Sequence, residues 1–324
     1  MKKIIALFFT CLLCFSLATG CSSSTTSYSK SGAYWLKNYQ EHGVVDVTEK
    51  CEYKISVTDT KGCDVTTEIT EGTYKTKLTT STISVDGEEK ACYKMETTMV
   101  LKGKYIYNSV EEEIDDSLTS VVYFSGYNDD LKPYRTEKHV VTTSPVNEGS
   151  KIVFKKISYD YTVDYGKKAV TSFTEIVAEG KDKVLPTPDK AEKSYNSSSF
   201  CENELLTFYP RMYVISNGFN ISLSTFSVVQ NEKVKLTVRG ESCNKAMALT
   251  NDCWIDGINR KDTSINVDCL SFCQSGTYSG QKIYAYYMTH TKDEAKNVLV
   301  RFKSPVFSVG YFEYTLTNYT SNQV

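Results

Sequence analysis

Histidine is scarce in this chain of 324 residues: there are three, His42, His139 and His290, and each stands alone. That spacing excludes the H-E-x-x-H arrangement, in which two imidazoles on one helix face hold a catalytic zinc. Neither a G-x-G-x-x-G turn nor a P-loop occurs, so nucleotide cofactors find no phosphate cradle. In Gly276-Thr277-Tyr278-Ser279-Gly280 the serine comes one place too late for a nucleophile elbow, and the segment reads as a hairpin turn. Glu111-Glu112-Glu113 with Asp115-Asp116 lacks the alternating oxygen ligands and the turn glycine of a calcium loop, and reads as a solvated rim between strands. Charge of one sign is missing too. Lys and Arg number 37 against 39 Asp and Glu, a net charge of −2 with no basic run, which argues against a nucleic-acid partner. These absences predict a protein that is not an enzyme and takes no metal or cofactor.

What is present begins at the N-terminus. Met1-Lys2-Lys3 is a short positive start, and residues 4–17 follow without a charge. Fourteen residues suit a signal-peptide core and fall short of the roughly 20 that a spanning helix needs. No later stretch is apolar enough to span a membrane. Small residues then lead to a cysteine, Ala18-Thr19-Gly20-Cys21, which resembles the lipobox of bacterial lipoproteins, with alanine where leucine is preferred. The resemblance implies cleavage before Cys21, a diacylglycerol on its sulfur, and a place on the outer side of the cell membrane. The division expected is a signal peptide over 1–20 and a flexible linker over 21–33, polar and serine-rich from Ser22 to Gly32. Two acyl chains at one cysteine meet the requirement that stable anchoring takes more than one chain.

The body is tyrosine-rich, with 24 tyrosines in the chain, a composition that suits half-buried sheet surfaces. Its apolar residues alternate with polar ones at the strand period of two. Tyr159, Tyr161, Val163 and Tyr165 alternate with Ser158, Asp160, Thr162 and Asp164; Val234, Leu236 and Val238, then Val298, Val300 and Phe302, then Phe312, Tyr314 and Leu316 repeat the pattern. Turn signals stand at Lys61-Gly62, Glu71-Gly72, Asp86-Gly87, Tyr165-Gly166 and Arg239-Gly240. The fold expected is mainly β, a long antiparallel meander with few short helices. One helix is expected over 34–42 and a second over 202–212. In the latter, Ser199 and Glu202 have capping-box spacing, Leu205, Leu206 and Tyr209 supply an apolar side, and Pro210 forces a bend or an end.

Residues 178–196 are polar, carry Pro186 and Pro188, and read as a connector between β halves at 34–177 and 197–324, either separate or continuous as one sheet. Eight cysteines lie in the body: Cys51, Cys63, Cys92, Cys201, Cys243, Cys253, Cys269 and Cys273. An exported chain can pair them in 105 ways, or leave them as free buried thiols. A zinc site lacks the C-x-x-C knuckle, since Cys269 and Cys273 are four apart and on one strand would stand about 13 Å from each other. Cys243 with Cys253 is the disulfide expected.

The run from Glu202 to Arg211, the strand from Val234 to Arg239, Asp268-Cys269 and the strand from Ile283 to Met288 together resemble uncharacterised bacterial exported domains similar to LolA-type lipoprotein carriers. The resemblance covers the last 130 residues or so and departs from the pattern at 243–265 and at Pro210. It implies a curved half-barrel, an unclosed antiparallel sheet with short helices at its mouth, whose concave face can hold an acyl chain. Tyr159, Tyr161, Val163 and Tyr165 are then candidates for an apolar ligand face, or else part of a self-filled core. Two functions follow from different classes. One is a membrane-anchored, non-enzymatic envelope protein that binds a lipid or other apolar ligand inside the sheet. The other is an envelope scaffold or adhesion module that acts through its outer surface and encloses nothing.

Overall fold

In the computed structural model the residues described are 44–165, 169–179, 191–193, 201–227, 232–249, 253–255, 264–274, 282–289 and 297–322. Cys21, the helix expected over 34–42 and the turn at 276–280 lie outside them. The N-terminal strands are β1 (Thr48–Thr58), β2 (Thr66–Val85), β3 (Glu88–Tyr107), β4 (Val110–Phe124), β5 (Pro133–Glu148), β6 (Lys151–Tyr165), β7 (Ala169–Glu179) and β8 (Ala191–Lys193). After them come β9 (Asn220–Ser227), β10 (Glu232–Ala248), β11 (Trp254–Ile255), β12 (Ser264–Gln274), β13 (Ile283–Met288), β14 (Leu299–Val306) and β15 (Gly310–Ser321). No α-helix occurs among the described residues.

All fifteen strands join one curved sheet in the order β8-β7-β6-β5-β4-β3-β2-β1-β15-β14-β13-β12-β10-β9, with β11 beside β15. The pairings along that path are antiparallel, and β11 alone runs parallel. The sheet is a meander laid out in two wings. It stays unclosed, and its first and last strands, β1 and β15, meet in the middle. Residues 178–196, read as a connector, contain the end of β7 and the three residues of β8 that pair with it; the rest lie outside the description.

The alternation places the core as expected. Val234, Leu236, Val238, Val300, Phe302, Phe312, Tyr314 and Leu316 all face inward and are buried. The centre is aromatic: Phe302 stacks on Tyr314 with centroids 4.0 Å apart, and Tyr53 and Tyr74 meet them edge-on or tilted at 5.5–5.8 Å. Tyrosine is tolerated at such depth where its hydroxyl finds an acceptor. Tyr53 donates to the Leu299 carbonyl at 2.9 Å and Tyr287 to the Thr207 carbonyl at 2.7 Å. Burial pushes both phenols well above their usual range.

Two of the expected turns prove to be strand interior. Glu71-Gly72 lies within β2 at a register shift, and Arg239-Gly240 lies within β10 beside another. A Cβ on Gly72 would stand 2.9 Å from Ile55, and one on Gly240 only 2.2 Å from the Ser216 carbonyl oxygen. These glycines admit a neighbouring chain, which is the other common reason for glycine in a strand. Asp86-Gly87 is a tight turn as expected, both residues having positive φ (55° and 83°). The acidic cluster is not a rim but part of β4. There the period of two sends Ile114, Asp116 and Leu118 inward, and Asp116 is fully buried.

Candidate functional site

Two faces of the N-terminal wing could carry function, and the register describes both. On the inner face, cross-strand partners run Tyr319, Cys51, Thr76, Thr97, Ser120 and Lys138, on to the Tyr161 position in β6. This belt of mostly small side chains is flanked by rows of larger ones. One row runs Tyr53, Tyr74, Met99, Leu118 and Val140; the other runs Leu78, Met95 and Val122.

Residues 201–212 cross this belt. The helix expected over 202–212 is instead two 3₁₀ turns, Asn203–Leu205 and Tyr209–Met212. Pro210 sits in the first turn of the second, where its missing N–H costs nothing. Glu202 serves not as the far end of a capping box but as the cap itself, its carboxylate accepting the Glu204 N–H at 2.6 Å. At one end Glu204 pairs with Lys138 on β5, both side chains fully buried. At the other, Arg211 grips Glu49 on β1 with two hydrogen bonds of 2.6 and 2.9 Å, and Tyr319 donates to the same carboxylate at 2.9 Å. Thr76, Thr97 and Ser120 stand on the strands between those anchors. Asn297 donates to the Arg211 and Tyr213 carbonyls, and Phe208 meets Phe124 edge-on.

The segment therefore plugs the inner face with its own chain. Burial and the neighbouring Glu204 raise the Glu202 carboxyl, with the Lys138 ammonium opposing. Asp116, two rows from the belt on β4, accepts the Thr143 N–H at 2.7 Å and the Thr142 hydroxyl at 3.2 Å, yet burial pushes its carboxyl up to about 7.

Of the four expected ligand-face residues, Val163 and Tyr165 are buried in the core. Tyr159 and Tyr161 pair in register with Val140 and Lys138, and their side chains lie outside the description. The eight body cysteines are free thiols, so the structure does not form the expected Cys243–Cys253 disulfide. Cys253 is buried just before β11, and the half-buried Cys243 lies in a β10 irregularity where Asn244 donates its N–H to Asp268 at 2.8 Å. No group of three metal-ligating side chains occurs among the described residues.

The outer face of β3–β6 carries a groove of about 560 Å³. Its lining includes two cross-strand rows, Thr98, Thr119, His139 and Asp160 beside Glu96, Val121, Glu137 and Thr162, with the inward-facing Thr97, Ser120 and Lys138 on the strands between them. His139 Nδ1 lies 2.6 Å from Asp160 Oδ1, and the two side chains are 44% and 56% exposed. A carboxylate only accepts, so Nδ1–H donates to it and Nε2 is the nitrogen left toward the groove's other partners. Cations balance the rim: Lys94 meets Glu96 at 2.8 Å, and Arg135 meets Glu137 at 2.9 Å. The Lys94 hydrogen bond holds the Glu96 carboxyl below its ordinary range. Thr119, His139 and Asp160 come from three strands and are joined only by register. A sequence signal does exist for one pair. With Glu148 opposite Lys151 across the Gly149-Ser150 turn, counting nine residues back along each strand sets His139 opposite Asp160.

No protein-family model and no curated protein matches this chain. Among solved structures it is similar to a β-barrel-like protein with a domain of unknown function, DUF1849, from Brucella abortus, at a TM-score of 0.44 and 10% identity over 86% of this chain and 99% of that one.

Proposed function

We propose that this protein is a lipid-anchored, non-enzymatic binding module of the bacterial cell envelope that works through the outer face of β3–β6. The observation that carries the reading is the inner plug. Residues 201–212 are all buried, and buried ion pairs tie the segment to β1 and β5. A LolA-type carrier would have to move this segment to admit an acyl chain. That would strand Lys138 and Glu49 in an apolar interior, at several kcal/mol each. The outer groove needs no such change. Anchoring rests on Ala18-Thr19-Gly20-Cys21 and the polar strap behind it; the strap gives the body reach across the envelope.

Two measurements test the reading. Cys21→Ser should move the protein from the membrane fraction to the soluble fraction, and sedimentation at the wild-type level would refute the anchor. The mature Cys21→Ser protein should still be retained on delipidated envelope fragments, and Thr119→Arg on the outer face should abolish that retention. Retention unaffected by Thr119→Arg would refute the outer-face reading.

A further inference from the structure

Resting on that reading, we infer that the β3–β6 groove is a carbohydrate site that takes an uncharged, extended β-linked glycan laid across the strands. The lining excludes other ligand classes in turn. Val121 is its one apolar side chain, so a lipid or apolar peptide would gain little burial there. An anion would meet Glu96, Glu137 and Asp160. A cation would find those carboxylates already engaged by Lys94, Arg135 and His139. What remains is a surface of paired charges dense in hydrogen-bonding groups: three outward threonine hydroxyls that donate or accept, carboxylates that only accept, and the second ring nitrogen of His139.

Vicinal sugar hydroxyls, each both donor and acceptor, match such a set. The spacing fits as well. Neighbouring strands lie about 4.8 Å apart, close to the advance of one pyranose in a β-1,4 chain, so successive sugars can meet successive strands. Tyr123 stands beside the groove, paired in register with Lys94 and Arg135 and therefore on the same outer face as Val121. It is half-buried and so keeps part of its aromatic surface on that face.

Titration of the mature Cys21→Ser protein with cellotetraose and chitotetraose tests the inference, alongside competition by the same sugars against retention on envelope fragments. Saturable binding of at least one of them is expected, with displacement from the fragments. His139→Ala should weaken binding about tenfold, as loss of one good hydrogen bond does, and Thr119→Arg should abolish it. Should neither sugar bind while Thr119→Arg still abolishes envelope retention, the glycan inference is overturned and the groove serves a protein partner. If Thr119→Arg leaves retention intact, the outer-face reading falls and the inference with it. Both variants alter exposed side chains, so an unchanged circular dichroism spectrum separates lost binding from lost folding.

Discussion

Lys138 and His139 are consecutive residues of β5, and their environments are opposites. Lys138 points into the sheet and is fully buried against Glu204; His139 points outward, nearly half exposed, against Asp160. Both join a basic side chain to a carboxylate far away in the chain, yet their energetic roles differ. A buried pair offsets the desolvation of each partner only while both remain, so losing one is severe. An exposed pair is solvated with or without its partner and is worth about 0–1 kcal/mol. The inner pairs thus serve the architecture, and the outer pair contributes little to it.

The largest effect that would sharpen this contrast is at Arg211. Arg211→Met should cost about 3–5 kcal/mol by urea unfolding, because it strands Glu49. The double replacement Glu49→Leu with Arg211→Leu should recover most of that loss. A small cost for Arg211→Met alone would mean the plug is loosely held.

Next comes pH. The folded-state carboxyl of Asp116 is raised, so its contribution to stability is fully present below the unfolded value near 4. That contribution is lost as pH rises to about 7. Glu202 is raised as well and acts in the same direction. The protein should therefore be more stable near pH 5 than near pH 8, by at most about 3 kcal/mol from Asp116, and Asp116→Asn should flatten the profile. Equal melting temperatures at the two pH values would contradict the burial argument.

Smaller again is Gly240→Ala, whose Cβ would press on the Ser216 carbonyl oxygen. A cost of about 1–3 kcal/mol is expected by thermal denaturation. Smallest of all, His139→Ala should change stability by less than about 1 kcal/mol while weakening retention on envelope fragments. A large loss of stability there would make the outer pair architectural too.

The period-two pattern made much of this fold legible. Phe312, Tyr314 and Leu316 are buried because their spacing says so, and Asp86-Gly87 turns because both residues accept positive φ. The polar residues misled where they obeyed the same period. Asp116 falls between Ile114 and Leu118 on the inward parity, so its position in the strand outweighs its charge. Gly72 and Gly240 carry the composition of turns, but each answers to a chain that crosses close by, which is visible only once strands are paired. The 202–212 segment has helical composition, yet its ends are held 3₁₀-fashion by partners on β1 and β5, far away in sequence. The outer groove was hidden for the same reason. Threonines and single charges on a solvent-facing parity look alike until register sets Thr119, His139 and Asp160 in one row.

The central claim is that the inner face is filled by its own chain and the outer face does the binding. Titration of a fluorescent fatty acid into the folded protein tests it most directly. The account predicts no saturable uptake by the wild type, and no difference when Tyr161, opposite Lys138 in register, is replaced in Tyr161→Glu. Saturable uptake by the wild type, abolished by Tyr161→Glu with the far-ultraviolet circular dichroism unchanged, would contradict it and establish a carrier whose plug gives way to lipid.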